Sequence, residues 1–176
     1  MVPLGTVAPD FSLPDVVSGV TIRLAELAPG QPLLVMFLSR HCPYVQHVKG
    51  ELARLGRDYR HRAGIVAISA NDASAYPEDA PERLREMADA SGFSFPFCYD
   101  ESQAVARAYG AACTPDSFLF DDDRKLAYRG QLDASRPGNG IPGDGADLRA
   151  ALEALLAGRL VAAVQRPSLG CSIKWK

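Results

Sequence analysis

The stretch QPLLVMFLSRHCPYVQHVKGEL, residues 31–52, joins a continuous apolar run to a helical pattern through a single Cys-Pro step. An uninterrupted apolar run is typical of a strand that is buried on both faces of a sheet. After Pro43, apolar residues recur at steps of three and four, which predicts a helix with one face toward a core. These apolar positions are Val45, Val48, Leu52, Leu55 and Tyr59. The stretch therefore predicts a β-to-α unit with Cys42 at its junction.

The segments that follow this unit continue the alternation of strand and helix patterns. Strand patterns occupy residues 64–72 and 95–100, and residues 116–130 predict two strands joined by a polar turn. Helical patterns occupy residues 81–92, 101–110 and 146–158. Each of these helical patterns ends at a glycine, a common helix stop signal. The order of elements predicts an α/β fold, with a central mixed β-sheet and helices on both of its faces.

Three segments fall outside this alternation. Residues from about 1–30 predict an N-terminal β-hairpin extension with its turn near Gly19. Residues 133–145 form a Gly- and Pro-rich loop, whose length is typical of a functional cover or of a mobile connection. We expect the C-terminal tail, about 159–176, to pack along the surface. Since no internal repeat or boundary is evident, the sequence predicts a single domain over residues 1–176.

Composition and charge narrow the classes of partner. The chain has 176 residues, of which 47% are hydrophobic and 23% charged, and a net charge of -2. This balance gives no electrostatic reason to expect nucleic acid or a membrane surface as a partner, so we expect small molecules or proteins. The first residues lack the pattern of a secretion signal, and no stretch approaches the about 20 apolar residues of a membrane span. We therefore expect a cytoplasmic protein.

The cysteines and histidines are too scattered for a structural or metal site. The chain has four cysteines, at positions 42, 98, 113 and 171. They form no C-x-x-C pair and are too few for a disulfide scaffold in a chain of this length. The three histidines do not complete a zinc-binding spacing with them. We expect neither a metal nor a cofactor.

Cys42 is the candidate nucleophile. Pro43 suits the first position of a helix, so Cys42 falls at the helix N-cap, where unpaired N–H groups and the helix dipole favour thiolate over thiol. Arg40 and His41 add positive charge nearby, and we expect the pKa of Cys42 to fall below the free value of ~8.5. The alternatives are that Cys42 is a buried structural cysteine and that His41 is a surface residue at a strand end.

A second signal lies at Thr114-Pro115, directly before a predicted strand. A proline at that place is tolerated at a strand's beginning, and it is compatible with a cis peptide bond. Together with the strand-Cys-Pro-helix order, this signal resembles the thioredoxin superfamily, in which a cis-proline loop sits against the active-site cysteine. Five stretches are similar to its peroxiredoxin-like branch, the AhpC/TSA type: VAPDFSLPD (7–15), LLVMFLSRHCPYV (33–45), FPFCYDESQAVARAYGA (95–111), CTPDSFLFD (113–121) and YRG (128–130). The stretches NDASAYPEDAPE (71–82) and QRPSLGCSIKWK (165–176) resemble a bacterial subgroup of that branch.

The chain also departs from these families. Val45 occupies the position of the second cysteine of a thioredoxin-type dithiol, and it belongs to the apolar stripe of its helix. Ser39 and Cys42 keep the S-x-x-C part of the peroxiredoxin motif, but Val35 stands where its proline belongs. Peroxiredoxins bring an arginine to the thiolate from the loop that corresponds to Thr114-Pro115, and no arginine stands there. Arg40 is a candidate substitute.

A nucleophile without a paired cysteine needs another thiol to complete a redox cycle. Cys113 is the leading internal candidate, because the resemblance places its loop against Cys42. A bridge would require Cα atoms within about 7 Å, and a simple packing role for Cys113 stays equally open. Cys98 ends an apolar strand and fits a core position, while Cys171 lies in a tail whose path the sequence does not define. An external thiol is the remaining alternative.

The sequence is compatible with three functions. The first is a thiol-dependent oxidoreductase that reduces peroxides or disulfides through Cys42, with Cys113 or an external thiol reductant completing the cycle. The site would be lined by Ser39, Arg40, His41, Pro43, Thr114 and Pro115. The second is a hydrolase or transferase that uses Cys42 with a histidine base, which requires a histidine that reaches the sulfur and an orienting group behind it. The third is a redox sensor or interaction module without efficient turnover.

Overall fold

The predicted β-to-α units are present in the computed structural model, which describes residues 2–176. Its strands are β1 (Ser12–Pro14), β2 (Thr21–Arg23), β3 (Leu33–Phe37), β4 (Gly64–Ser69), β5 (Phe97–Tyr99), β6 (Cys113–Thr114), β7 (Asp116–Phe120), β8 (Leu126–Gly130) and β9 (Cys171–Ser172). Its helices are α1 (Pro43–Asp58), α2 (Pro81–Ser91), α3 (Ala104–Tyr109) and α4 (Ala146–Leu156). Within the described residues, no helix combines the length and apolarity needed to cross a membrane.

Five strands form one mixed sheet in the order β5-β4-β3-β7-β8. The central strand β3 runs parallel to β4 and antiparallel to β7. All five residues of β3 are buried, as expected for a strand that is covered on both faces. The chain passes from the carboxyl end of β3 into α1, so Cys42 lies beyond the carboxyl end of the central strand, just before the helix begins.

Side chains of β3 alternate between two apolar cores, because successive residues of a strand point to opposite faces. Leu34 and Met36 lie in a core with buried residues of α1, α2 and α4. Val35 and Phe37 lie in a second core with α3 and the N-terminal segment. The predicted stripe of α1 is confirmed, since each of its apolar residues is buried in the first core: Val45, Val48, Leu52, Leu55 and Tyr59. Helices therefore cover both faces, and the predicted fold class is confirmed.

Two further predictions concern the ends of the chain. The N-terminal β-hairpin is confirmed, because β1 pairs antiparallel with β2. The expectation that the tail packs along the surface is wrong for part of it, since Ile173 is buried in the second core. The tail contributes β9, which pairs antiparallel with β6. Neither two-residue strand was predicted, because a strand this short has no periodicity and depends on its partner.

Candidate active site

Cys42 occupies the N-cap of α1, and Pro43 occupies the first helical position. The backbone of Cys42 is extended, at φ -72° and ψ 119°, and its side chain makes no capping hydrogen bond of its own. The residue is 0% exposed. The N-cap position places the sulfur near the free N–H groups of the first helical turn, which favour a negative charge.

The sulfur of Cys42 contacts Thr114, a residue that is distant in the sequence. Its Sγ–H donates to the backbone carbonyl oxygen of Thr114 across 3.1 Å. Burial acts to raise the pKa of Cys42, but hydrogen bonds from the Thr114 side chain, the Val45 backbone and both the thiol and the backbone of Cys171 lower it. The net pKa lies below the ordinary value. The direction agrees with the sequence prediction, and the donors that produce it come largely from distant parts of the chain.

The loop that carries Thr114 is held by the C-terminal tail. The Thr114–Pro115 peptide bond is cis, and β6 pairs with β9 so that Thr114 lies opposite Cys171. Gly170 makes this approach possible, because a Cβ atom at that position would overlap the Thr114 carbonyl group. Side chains of directly opposed residues lie on the same face of a strand pair. Cys171 therefore lies on the same face as the Thr114 side chain, whose hydrogen bond lowers the pKa of Cys42.

Cys113 precedes Thr114 in β6, and its thiol is close enough to Cys42 and Cys171 for their charges to raise its pKa. Neighbouring residues of a strand face opposite sides, so the side chain of Cys113 is directed away from the face of Thr114. Its sulfur lies 3.7 Å from the carbonyl oxygen of Pro115 and lines a separate cavity of about 300 Å³ with Asp116 and Arg129. Burial and the Asp116 carboxylate raise the pKa of Cys113 to about 12. The resolving role of Cys113 stays a prediction.

Cys98 belongs to the second core. It is 0% exposed, and burial followed by the charge of Asp15 raises its pKa to about 12. A thiol of this kind is a poor nucleophile near neutral pH. The core position agrees with the sequence interpretation of Cys98.

A buried carboxylate organises the segment before Cys42, and sequence reasoning missed it. Asp79 is 0% exposed and accepts four hydrogen bonds. Its donors are the Ser39 hydroxyl at 2.8 Å, the Arg40 backbone N–H at 2.6 Å, His41 Nδ1 at 2.7 Å and the Asn71 side-chain amide at 2.7 Å. Nothing in the local sequence distinguishes this aspartate from its acidic neighbours, because its role depends on where the chain folds.

The side chains of His41 and Arg40 make their contacts with groups other than the Cys42 sulfur. The His41 ring stacks on Tyr76, with ring centroids 5.4 Å apart, while its Nδ1 faces Asp79. Asp79 thus supplies the orienting group that a Cys-His mechanism needs, yet no hydrogen bond joins His41 to Cys42 among residues 2–176. The Arg40 guanidinium pairs with Glu78 and, at 3.9 Å, with Glu86. The expectation that Arg40 substitutes for the peroxiredoxin arginine has no support in this pairing.

Asn71 connects the same network to the C-terminal tail. Its side-chain oxygen accepts the backbone N–H of Lys174 at 2.8 Å, while its amide group donates to Asp79. Gln103 donates to the Lys174 carbonyl at 2.9 Å and accepts the Lys176 N–H at 3.0 Å. The segment that leads into Cys42 and the tail that carries Cys171 are therefore fixed by one set of buried polar groups.

Comparison with known proteins identifies the family and the fold of this chain. A model of the AhpC/TSA family matches residues 4–129. The crystal structure of an uncharacterized conserved protein from Geobacillus kaustophilus matches with a TM-score of 0.97 and 53% identity, covering 100% of this chain and 94% of that chain. A thiol:disulfide interchange protein of the thioredoxin family from Chlorobium tepidum matches with a TM-score of 0.67 and 18% identity, over 89% of this chain and 99% of that chain. The curated thiol:disulfide interchange protein DsbE of Allochromatium vinosum is 27% identical over 129 residues, which is 72% of this chain and 67% of that protein. The fold is thioredoxin-like, and the tail with Cys171 lies beyond the residues that the family model matches.

Proposed function

The chain belongs to the AhpC/TSA family, and from this we propose that it is a thiol-dependent oxidoreductase whose nucleophile is the sulfur of Cys42. One observation carries the proposal. The Cys42 sulfur lies at a helix N-terminus, among hydrogen bonds that lower its pKa in spite of burial. A lowered pKa increases the fraction of thiolate, which is the reactive form of cysteine.

The same thiolate serves two related reactions. With a peroxide, the sulfur attacks one oxygen, the O–O bond breaks, and Cys42 becomes a sulfenic acid while an alcohol or water leaves. With a disulfide, the sulfur attacks one sulfur atom, the S–S bond breaks, and a mixed disulfide forms while a thiolate leaves. The family supports the peroxide substrate, and the relative named as a thiol:disulfide interchange protein supports the disulfide substrate. Either product returns to the thiol at the expense of a thiol reductant.

The predicted lining residues divide into two roles. Pro43 and Thr114 set the environment of the Cys42 sulfur. Pro43 starts the helix whose N-terminus lies at the sulfur. The Thr114 side chain donates a hydrogen bond to the thiolate. Ser39, Arg40 and His41 act through Asp79, which holds the segment that leads into Cys42. Pro115, the last of the predicted lining residues, directly follows Thr114 in the same loop. Cytoplasmic location and an external thiol reductant stay predictions.

A redox sensor is the second candidate, and the burial of Cys42 favours it. A sulfur with 0% exposure is closed to large substrates until the covering segments move. A sensor needs only a single oxidation of the thiol, whereas an enzyme must repeat the reaction. Turnover is therefore the property that separates the two functions.

The test measures turnover with each substrate class. Wild type, Cys42→Ser and Cys98→Ser are given dithiothreitol with either hydrogen peroxide or oxidised glutathione. We expect wild type and the core control Cys98→Ser to turn over many times with one of these substrates, and Cys42→Ser to fall to the rate without protein. Equal rates for Cys42→Ser and wild type would overturn the proposal. A single oxidation of Cys42 without further turnover would favour the sensor.

A further inference from the structure

We propose that Cys171 is the resolving cysteine, and that it forms an intramolecular disulfide with Cys42 during the redox cycle. This inference rests on the proposed function, since it needs Cys42 to be oxidised first. It assigns a chemical role to the C-terminal tail, which the family model does not cover.

The strand register places Cys171 at the site. Thr114 contacts the Cys42 sulfur at 3.1 Å, and Cys171 lies opposite Thr114 in the β6–β9 pair. Opposed residues of an antiparallel pair have Cα atoms about 4.5–5.5 Å apart and side chains on one face. Cys171 packs against the core that contains Cys42, and the two thiols are close enough for each to shift the pKa of the other. The two sulfurs are thus neighbours before any reaction.

The tail is anchored on both sides of Cys171. Before it, the Ser168 hydroxyl donates to the Gly130 carbonyl at 2.9 Å. After it, the Ile173 N–H donates to the Ala112 carbonyl at 3.2 Å, and the Ile173 side chain is 4% exposed. Anchoring on both sides limits the positions that the Cys171 thiol can adopt. A second thiol held in this way reacts at a high effective concentration, which is what a resolving cysteine requires.

The charge on Cys42 determines that Cys42 reacts first and Cys171 second. Burial first, and then the hydrogen bond and charge of Cys42, raise the pKa of Cys171 to about 11. Cys171 therefore keeps its proton near neutral pH, and it can donate to Cys42 when Cys42 ionises to the thiolate. Oxidation converts Cys42 to a neutral sulfenic acid and removes the negative charge beside Cys171, so its pKa falls toward the ordinary range.

The resolving step balances without a further oxidant. The Cys171 sulfur attacks the Cys42 sulfur, the S–O bond of the sulfenic acid breaks, and water leaves as the disulfide forms. If the substrate was a disulfide, the same attack releases the second half of the substrate as a thiol. A dithiol reductant then reduces the Cys42–Cys171 disulfide and becomes a disulfide itself.

The test follows the fate of Cys42 after one equivalent of hydrogen peroxide, in the absence of reductant. Wild type, Cys171→Ser, Cys113→Ser and Cys98→Ser are quenched with a thiol-alkylating reagent and analysed by intact mass and peptide mapping. A parallel sample contains dimedone, which traps sulfenic acid. We expect wild type, Cys113→Ser and Cys98→Ser to lose two hydrogens and to yield a Cys42–Cys171 crosslinked peptide. We expect Cys171→Ser to form no crosslink and to accumulate a dimedone adduct at Cys42.

Each other outcome has a distinct meaning. A Cys42–Cys113 crosslink that persists in Cys171→Ser would overturn the inference in favour of the loop cysteine. A dimedone adduct at Cys42 in wild type, without any crosslink, would overturn it in favour of an external thiol, while leaving the proposed nucleophile intact. If Cys42 shows neither adduct nor crosslink in any variant, both with hydrogen peroxide and in a parallel series with oxidised glutathione, the proposed function itself fails.

Discussion

The sulfur of Cys42 lies 3.1 Å from the carbonyl oxygen of Thr114, although 72 positions of sequence separate the two residues. One residue belongs to a helix N-terminus and the other to a strand paired with the C-terminal tail. Three distant segments, namely the start of α1, strand β6 and the C-terminal tail, therefore come together near the Cys42 sulfur. The properties of Cys42 depend on all three of them.

Replacing Thr114 with valine is expected to raise the pKa of Cys42. Burial already raises this pKa, and the Thr114 side chain provides the first of the hydrogen bonds that lower it. Valine keeps the branched shape and removes the donor, so less thiolate is present at neutral pH. The measurement is a pH titration of thiolate absorbance, in which Cys42 is the first cysteine to ionise because the pKa values of the other three are raised. A first ionisation step at the same pH in Thr114→Val and wild type would contradict the assignment of that hydrogen bond.

Replacing Gly170 with alanine is expected to displace the tail from the Thr114–Pro115 loop. The added Cβ would overlap backbone atoms of Thr114, and backbone has little freedom to move away. We expect the Cys42–Cys171 disulfide to form at least about tenfold more slowly, because a small misplacement of a reacting group is costly. Stopped-flow tryptophan fluorescence or quenched mass analysis would follow the rate. Gly50→Ala is the matched control, since an added Cβ there meets nothing within 4 Å. Equal rates in the two variants would argue against the close approach.

Replacing Asp79 with alanine is expected to destabilise the protein strongly. The change leaves four donors without their acceptor, two of them on the buried side chains of Ser39 and Asn71, and we expect the free energy of unfolding to fall by about 3 kcal/mol or more. Urea denaturation measures this loss. Asp89→Ala provides the control, because Asp89 lies exposed on α2 in a loose pair with Arg85 at 3.8 Å, so its removal should cost less than about 1 kcal/mol. Similar losses in the two variants would mean that the Asp79 network does not stabilise the fold.

Two glycines of α1 are expected to respond to alanine in opposite ways. At Gly50 an added Cβ meets nothing within 4 Å, so alanine should raise the free energy of unfolding by about 0.5–1 kcal/mol through its helix propensity. At Gly56 the Cβ would lie 2.8 Å from the Phe95 ring, and overpacking should lower that free energy by about 1–3 kcal/mol. Urea denaturation of both variants measures these changes in the free energy of unfolding. A Gly56→Ala variant that is more stable than wild type would show that the Phe95 ring moves to admit the added methyl group.

Much of the fold could be predicted because its signals are local. The apolar run of β3 and the stripe of α1 repeat with the periods of a strand and a helix, and these periods survive in the sequence. Pro43 marks the helix start, and Gly92 and Gly110 mark two helix ends in left-handed conformations. The position of Cys42 at the helix N-cap followed from the same signals.

The surroundings of Cys42 were decided by the tertiary structure. Cys171 reaches the site through a two-residue strand pair, and Asp79 reaches it through hydrogen bonds to a segment 38 to 40 positions away. Neither contact has a periodic pattern, and each depends on groups that become neighbours only when the chain folds. By itself, the sequence determined where Cys42 stands, because helix capping is a local effect. Only the tertiary structure decided which thiol stands beside it, because that choice depends on the register of strands from opposite ends of the fold.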